Sequence, residues 1–248
     1  MAELTLRFYE ELNDFLPPEK KKRQFAHPIH RKASVKDVIE SLGVPHTEVE
    51  LILVNGHSVD FQYHVRDRDE ISVYPIFESF NISPLLRLRD KPLRHIRFIA
   101  DSNLGKLSQY LRLLGFDCLY RNDYEDAEVA DIALQQHRVV LTRDRRLLQR
   151  KIITHGYFVR SDQPKTQVGE VLERLDLYNE TAPFTRCVNC NGPLLEIDKE
   201  EVIDRLEPLT RAHYQDFKLC QDCGQVFWPG SHFERAQKLL KEFITGRE

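Results

Sequence analysis

No stretch of the 248-residue chain is apolar for the roughly 20 residues that a membrane-spanning helix needs. The opening segment, MAELTLRFYEEL, has neither the apolar centre nor the small-residue cleavage pattern of a secretory signal. Together these absences lead to the expectation of a cytoplasmic protein without a membrane partner. An excess of one charge is lacking too. The 36 Lys and Arg stand against 39 Asp and Glu, a net charge of -3, so charge alone does not make a chain that coats nucleic acid. Any polyanion site must come from local placement.

Cysteine is sparse, with five in all, yet four of them form two pairs, Cys187-Val-Asn-Cys190 and Cys220-Gln-Asp-Cys223. In a reducing compartment such pairs favour zinc over disulfides, because thiolates at that spacing can share one tetrahedral ion. The 29 residues between the pairs suit two knuckles joined by other structure, and Gly192 and Gly224 follow them where a tight turn is needed. Four thiolates close the coordination sphere, so zinc there would be structural; dithiol redox chemistry is the alternative. The fifth, Cys118 in FDCLY, reads as a small buried hydrophobe on a strand.

The length allows two or three units. Over residues 1–80, Leu4, Leu6 and Phe8 alternate with polar positions as in a half-buried strand. Ser34 is placed to cap a helix carrying Val35, Val38, Ile39 and Leu42 on one face, with Gly43 ending it. ELILVNGHSV predicts a strand and tight turn, and EISVYP a last strand. The stretches SVKDVIESLGVPHTEVELILVNG and RDRDEISVYP resemble a ubiquitin-like β-grasp domain near the sulfur-carrier branch. Such carriers end in a free Gly-Gly tail. Here the chain continues through Phe77-Glu78-Ser79, so conjugation chemistry is not expected, and a protein partner for the domain is.

Residues 81–94, with two prolines and the basic Arg87, Arg89, Lys91 and Arg94, read as a linker: a solvated connector, or a strap for an anionic ligand. From residue 95 strands and helices alternate. HIRFIA is followed by a helix with Leu104, Leu107, Leu111 and Leu114 on one face and Gly115 as terminator. Then come DCLY, the helix DAEVADIALQQ, the strand RVVLT, the helix RRLLQRK, the strand YFVRS and a helix with Val168, Val171, Leu172 and Leu175 inward. Repetition of this kind predicts an α/β domain with a parallel sheet flanked by helices.

Parallel sheets gather ligand sites along the edge where strands end. Asp101 follows the first strand of this region, Asp126 opens a helix, Asp144 follows RVVLT and Asp162 follows YFVRS. Each alone suits a cap or a turn. Several carboxylates on one edge repel unless a cation intervenes, and a hard divalent ion is the usual one. Metal-assisted phosphodiester hydrolysis is chemistry built in this way. Residues 85–180 carry 17 Lys and Arg against 14 Asp and Glu. Lys106, Arg143, Arg145 and Arg146 are the expected phosphate-binding cations, with Arg150 and Lys151 close by, and a solvated helix face is the plain alternative.

FIADSNLGKLSQYLRLLGFD and DAEVADIALQQHRVVLTRDRRL resemble the PIN-like ribonucleases, particularly the mut-seven C-terminal RNase domain family. The resemblance runs from residue 95 towards the C-terminus. It implies a PIN-like domain at 95–180, a zinc-ribbon element with a C-terminal helix at 181–248, and catalytic carboxylates at Asp101, Asp126 and Asp144. A further acidic residue is common in such nucleases. Asp123, Asp162, Glu125 and Asp117 are the candidates for it here, so one metal or two stays open. The chain departs from the pattern at Asn103, where relatives often carry an apolar residue.

At the C-terminus Ser231 and Glu234 have capping-box spacing, and Trp228 and His232 suit either packing or base stacking. The expected activity is metal-dependent hydrolysis of single-stranded or structured RNA, with magnesium or manganese at the aspartates and zinc at the cysteines. The alternative is a non-catalytic RNA-binding or adaptor protein. Aspartyl phosphoryl transfer ranks last, because DSN lacks a second aspartate two residues after Asp101.

Overall fold

A computed structural model describes residues 2–75 and 96–245. The linker expected at 81–94, with its four basic residues, lies outside them. In chain order the strands and helices are β1 (Ala2–Phe8), β2 (Phe25–Ile29), α1 (Val35–Ser41), β3 (Leu51–Val54), β4 (His57–Ser58), β5 (Glu70–Tyr74), β6 (Phe98–Ala100), α2 (Gly105–Leu113) and β7 (Cys118–Tyr120). They continue as α3 (Asp126–Gln136), β8 (Val139–Thr142), α4 (Arg145–Leu148), β9 (Gly156–Phe158), α5 (Pro164–Arg174), β10 (Leu194–Ile197), α6 (Lys199–Val202), α7 (Pro208–His213), β11 (Phe217–Cys220), β12 (Val226–Phe227) and α8 (Ser231–Thr245). The chain divides into two compact units. One joins 1–95 to 126–158, and the other joins 96–125 to 159–248.

In the first unit a five-stranded sheet runs in the order β2-β1-β5-β3-β4, with β1 and β5 parallel and the other pairs antiparallel. Leu4, Leu6 and Phe8 are buried from β1, and Val35, Val38 and Ile39 from α1. Period 2 and period 3.6 thus converge on one core. Ser34 caps α1 in a reciprocal box, its hydroxyl accepting from the Asp37 N–H and the Asp37 carboxylate from the Ser34 N–H. The β3–β4 turn places Asn55 at φ 51° and Gly56 at φ 81°, as a two-residue hairpin requires. Strand β2 has no counterpart in the sequence reading. Its Pro28 discourages a strand, yet β2 lies at the sheet edge, where a missing N–H costs no ladder bond.

The same unit holds α3 and the parallel pair β8 and β9, joined through α4. All four β8 residues are buried, so this strand reads as a continuous apolar run. Helix α4 is a single turn, shorter than RRLLQRK suggested, and β9 begins at Gly156, ahead of the expected YFVRS. A Cβ at Gly156 would lie 2.5 Å from Leu148 Cδ2, so any larger residue here would have to displace the buried Leu148 side chain.

In the second unit β6 and β7 are parallel, joined through α2. Leu104, Leu107, Leu111 and Leu114 are all buried, as their spacing predicted. The α/β architecture with parallel strands and flanking helices is therefore present, preceded by a β-grasp-type sheet. The antiparallel strands β10, β11 and β12 carry the cysteine-rich element. Helix α8 starts at Ser231 itself, and the Gly230 carbonyl accepts from Glu234 N at 3.1 Å. The serine thus stands inside the first turn, one position late for the expected capping box. Among the described residues no helix is long and apolar enough to cross a membrane.

Candidate active site and metal centre

The two knuckles bring Cys187, Cys190, Cys220 and Cys223 together, with all four sulfurs within 4.8 Å of one another. Cys187 Sγ lies 3.8 Å from Cys223 Sγ, and Cys190 Sγ lies 3.3 Å from Cys220 Sγ. Tetrahedral zinc with bonds of about 2.3 Å needs sulfurs about 3.8 Å apart, so this donor set fits such an ion. Gly192 is required by contact: a Cβ there would stand 2.8 Å from the Cys220 sulfur. Burial pushes the Cys187 thiol up. On Cys220 burial also acts upward, but N–H donation from Cys223 and Asp222 and the neighbouring thiols outweigh it and bring it down to about 7. That thiol is the readiest first ligand at neutral pH.

The first knuckle is fastened to β7. Asn191, at φ 75°, accepts from Cys118 N through Oδ1 at 2.9 Å and donates to Asp117 Oδ1 through Nδ2 at 2.7 Å. Arg186 approaches the same aspartate at 3.6 Å. Arg112 of α2, 3% exposed, donates through Nε to the Cys118 carbonyl and through NH1 to those of Val188 and Asn189. Asp117 therefore has a structural occupation here, and Cys118 is the buried small residue expected. None of these polar links follows from periodicity, although a charged residue beside Leu111 in an apolar helix face was the available signal.

Among the described residues the four cysteines are the one group of three or more His, Cys, Asp or Glu close enough to share an ion; no trio of carboxylates reaches that spacing. In the first unit, Asp126 opens α3 and its carboxylate lies 3.9 Å from the Arg150 guanidinium, the two side chains being 48% and 43% exposed. Asp144 stands beyond the end of β8. Its N–H donates to the Thr142 hydroxyl, and its own carboxylate caps α4 by accepting from Arg146 N at 2.8 Å. The plain capping role is thus real for Asp144, and its second oxygen remains on an exposed side chain.

In the second unit Asp101 follows β6 and is 8% exposed. Its side chain does not cap the 3-10 turn that follows; instead it accepts from the Ser102 hydroxyl at 2.9 Å. Asp123 is exposed and pairs with Arg121 at 2.9 Å, a hydrogen bond that lowers its pKa. Asp162 is exposed after β9.

Among the cations, Arg143 and Arg146 are exposed. Arg145 is engaged elsewhere in its unit: its guanidinium lies 4.9 Å from the Phe15 ring centre and 5.4 Å from that of Phe158, and donates to the Asp14 and Phe15 carbonyls at 3.4 Å. Lys106 lies over the Tyr110 ring at 5.1 Å. Both residues line a groove of about 1150 Å³ in the second unit, together with Phe184, Lys218, Phe227 and Trp228. Trp228 also packs, partly buried, on the cluster of Val202, Leu206, Phe217 and Val226.

Residues 96–240 match the Mut7-C RNAse domain family. The chain belongs to that family. Residues 1–81 match the Mut7-C ubiquitin family, which agrees with the β-grasp sheet order seen here. No curated protein and no solved structure matches the chain. Membership in the Mut7-C RNase family gives the chain a ribonuclease-like character in general, with RNA as the substrate class. The cysteine group adds a site able to bind a metal such as zinc.

Proposed function

We propose that the chain is a metal-dependent ribonuclease in which Asp101, Asp126 and Asp144 supply the metal-binding carboxylates. The observation that carries the reading is the Mut7-C RNase match over 96–240, a span that includes all three aspartates. Local chemistry supports it. Magnesium keeps several waters and takes one or two protein carboxylates, so it does not need oxygens in direct contact with one another. The half-exposed Asp126 and exposed Asp144 keep oxygens available to such a hydrated ion. What a bound magnesium or manganese ion supplies is charge for the attacked phosphoryl oxygen and a more acidic water.

The chain's own side chains do the rest. Arg143 and Arg146 flank Asp144 and hold phosphate oxygens, positioning the RNA backbone without reading bases. Asp101, buried and hydrogen-bonded by Ser102, is kept in one orientation. Asp123 and Asp162, both exposed, remain as further acidic residues for a second ion. Zinc closes the four-cysteine site and fixes the ribbon.

Purified protein freed of magnesium and manganese but retaining its zinc, incubated with labelled RNA, tests this reading. Cleavage that appears on adding manganese or magnesium, with zinc bound one to one, is the expected result. RNA retained without cleavage in either metal would replace the nuclease reading with the adaptor one.

A further inference from the structure

The 3-10 turn His46–Glu48 of the β-grasp domain is a run of three polar residues that are 5%, 2% and 0% exposed. A carboxylate so deeply buried is costly unless hydrogen-bonded. Glu48 Oε1 accepts from Phe158 N at 2.6 Å. The pairing of β8 with β9 explains why that N–H is available. Val140 donates to the His155 carbonyl and lies opposite Gly156, so His155 and Tyr157 face β8, while Gly156 and Phe158 turn their backbone groups away from it. Glu48 thus takes an outward N–H of β9.

Other contacts join the same two segments. The His46 ring sits between the Glu40 carboxylate, at 2.7 Å from Nδ1, and the Ile153 carbonyl, at 2.8 Å from Nε2. Gln149 Nε2 donates to the Glu40 carbonyl at 3.3 Å. Phe15 and Phe158 meet edge to face with centres 5.4 Å apart, and the Arg145 guanidinium covers both rings. Every partner on the nuclease side falls between Arg145 and Phe158, the segment that directly follows Asp144.

We propose that the β-grasp domain is an internal splint whose partner is this chain's own α4–β9 arm, with Glu48 the positioning residue that holds the arm and, through it, Asp144. The inference rests on the reading of Asp144 as a metal-binding carboxylate. It gives the domain a role that needs no free Gly-Gly tail, and it accounts for the burial of His46 and Glu48. The role asks for no RNA contact by the domain; it acts by limiting where the Asp144 turn can go.

The test compares Glu48→Ala with Glu48→Gln in the full chain. Gln keeps an acceptor oxygen for Phe158 N–H, whereas Ala removes it. Glu48→Ala is expected to speed hydrogen exchange of the Phe158 amide roughly tenfold or more, and to lower kcat severalfold with KM nearly unchanged. Glu48→Gln is expected to restore both. Wild-type exchange and kcat in Glu48→Ala would overturn the proposal, and so would equal damage in the two variants. If Glu48→Ala fails to fold, Gln149→Ala weakens the same joint from the nuclease side by removing the donor to the Glu40 carbonyl. Faster exchange over residues 150–158 with a lower kcat supports the splint, and unchanged exchange refutes it. Exchange needs no catalysis, so it judges the splint even where Asp144→Asn cleaves normally and the reading of Asp144 as a metal-binding carboxylate fails.

Discussion

Replacing Arg112 by methionine removes a guanidinium that serves three carbonyl oxygens while keeping much of the apolar stem. The Cys118 carbonyl belongs to β7, and those of Val188 and Asn189 belong to the first knuckle, so one side chain ties the α/β strands to the cysteine element. Asn189 is exposed and its carbonyl can turn to water, whereas Cys118 is fully buried and Val188 partly so. Leaving a buried acceptor without its partner costs about 1–3 kcal/mol. Removing a buried charge returns some of its desolvation cost. With the Cys118 and Val188 acceptors both left without a partner and part of the desolvation cost returned, the expected loss is about 2–4 kcal/mol. Trp228 is the chain's single tryptophan and packs in the ribbon cluster, so its fluorescence in urea reports this unit without assuming one transition for the whole chain. Arg112→Lys, which retains donors but not the fork, should fall between. A Trp228 transition in Arg112→Met within about 0.5 kcal/mol of wild type would refute the reasoning.

Gly192→Ala is expected to lower the metal content per chain and speed its loss to a chelator, because the new Cβ meets the Cys220 sulfur at 2.8 Å; Gly169→Ala, with open space around it inside α5, should instead stabilise by about 0.5–1 kcal/mol. Wild-type metal retention in Gly192→Ala would contradict the close approach. The Ser34 hydroxyl and N–H hold the Asp37 carboxyl below its ordinary 3.8, so its contribution is present above that value and is lost as pH falls through the lower folded one. Asp37→Asn should therefore flatten the acid limb of the stability–pH curve measured by urea unfolding, and an unchanged limb would count against the capping box. Metal uptake by the cysteines should release protons and weaken towards acid, which titration in lightly buffered solution would detect.

How legible this molecule is depends on the range of the contact. The β1 alternation, the leucine face of α2 and the paired cysteines were all readable, because burial on one side imposes a short period or a fixed spacing. Strand β2 was hidden by Pro28, which is harmless only at an edge, and edge position is a property of the whole sheet. Helix α4 and strand β9 are both shorter than RRLLQRK and YFVRS suggested, β9 ending at Phe158, and the approach of Gly156 to Leu148, eight positions apart, carries no periodic signal. Polar ties across more than a hundred residues, such as His46 to Ile153 and Glu48 to Phe158, leave no local trace at all. Asp101, Asp144 and Asp162 were legible as residues that follow strands and Asp126 as one that opens a helix, and the local partners of the aspartates differ. Asp117 is committed to Asn191 and Arg186, Asp144 caps α4, and Asp101 caps nothing with its side chain.

The most direct measurement is the cleavage rate of Asp144→Asn on labelled RNA across a manganese titration, beside RNA binding by the same protein. Asparagine can still accept from Arg146 N and so preserve the start of α4, while the carboxylate charge is gone. The account predicts cleavage lowered by orders of magnitude at every metal concentration with RNA binding retained. Wild-type cleavage by a correctly folded Asp144→Asn protein would contradict it.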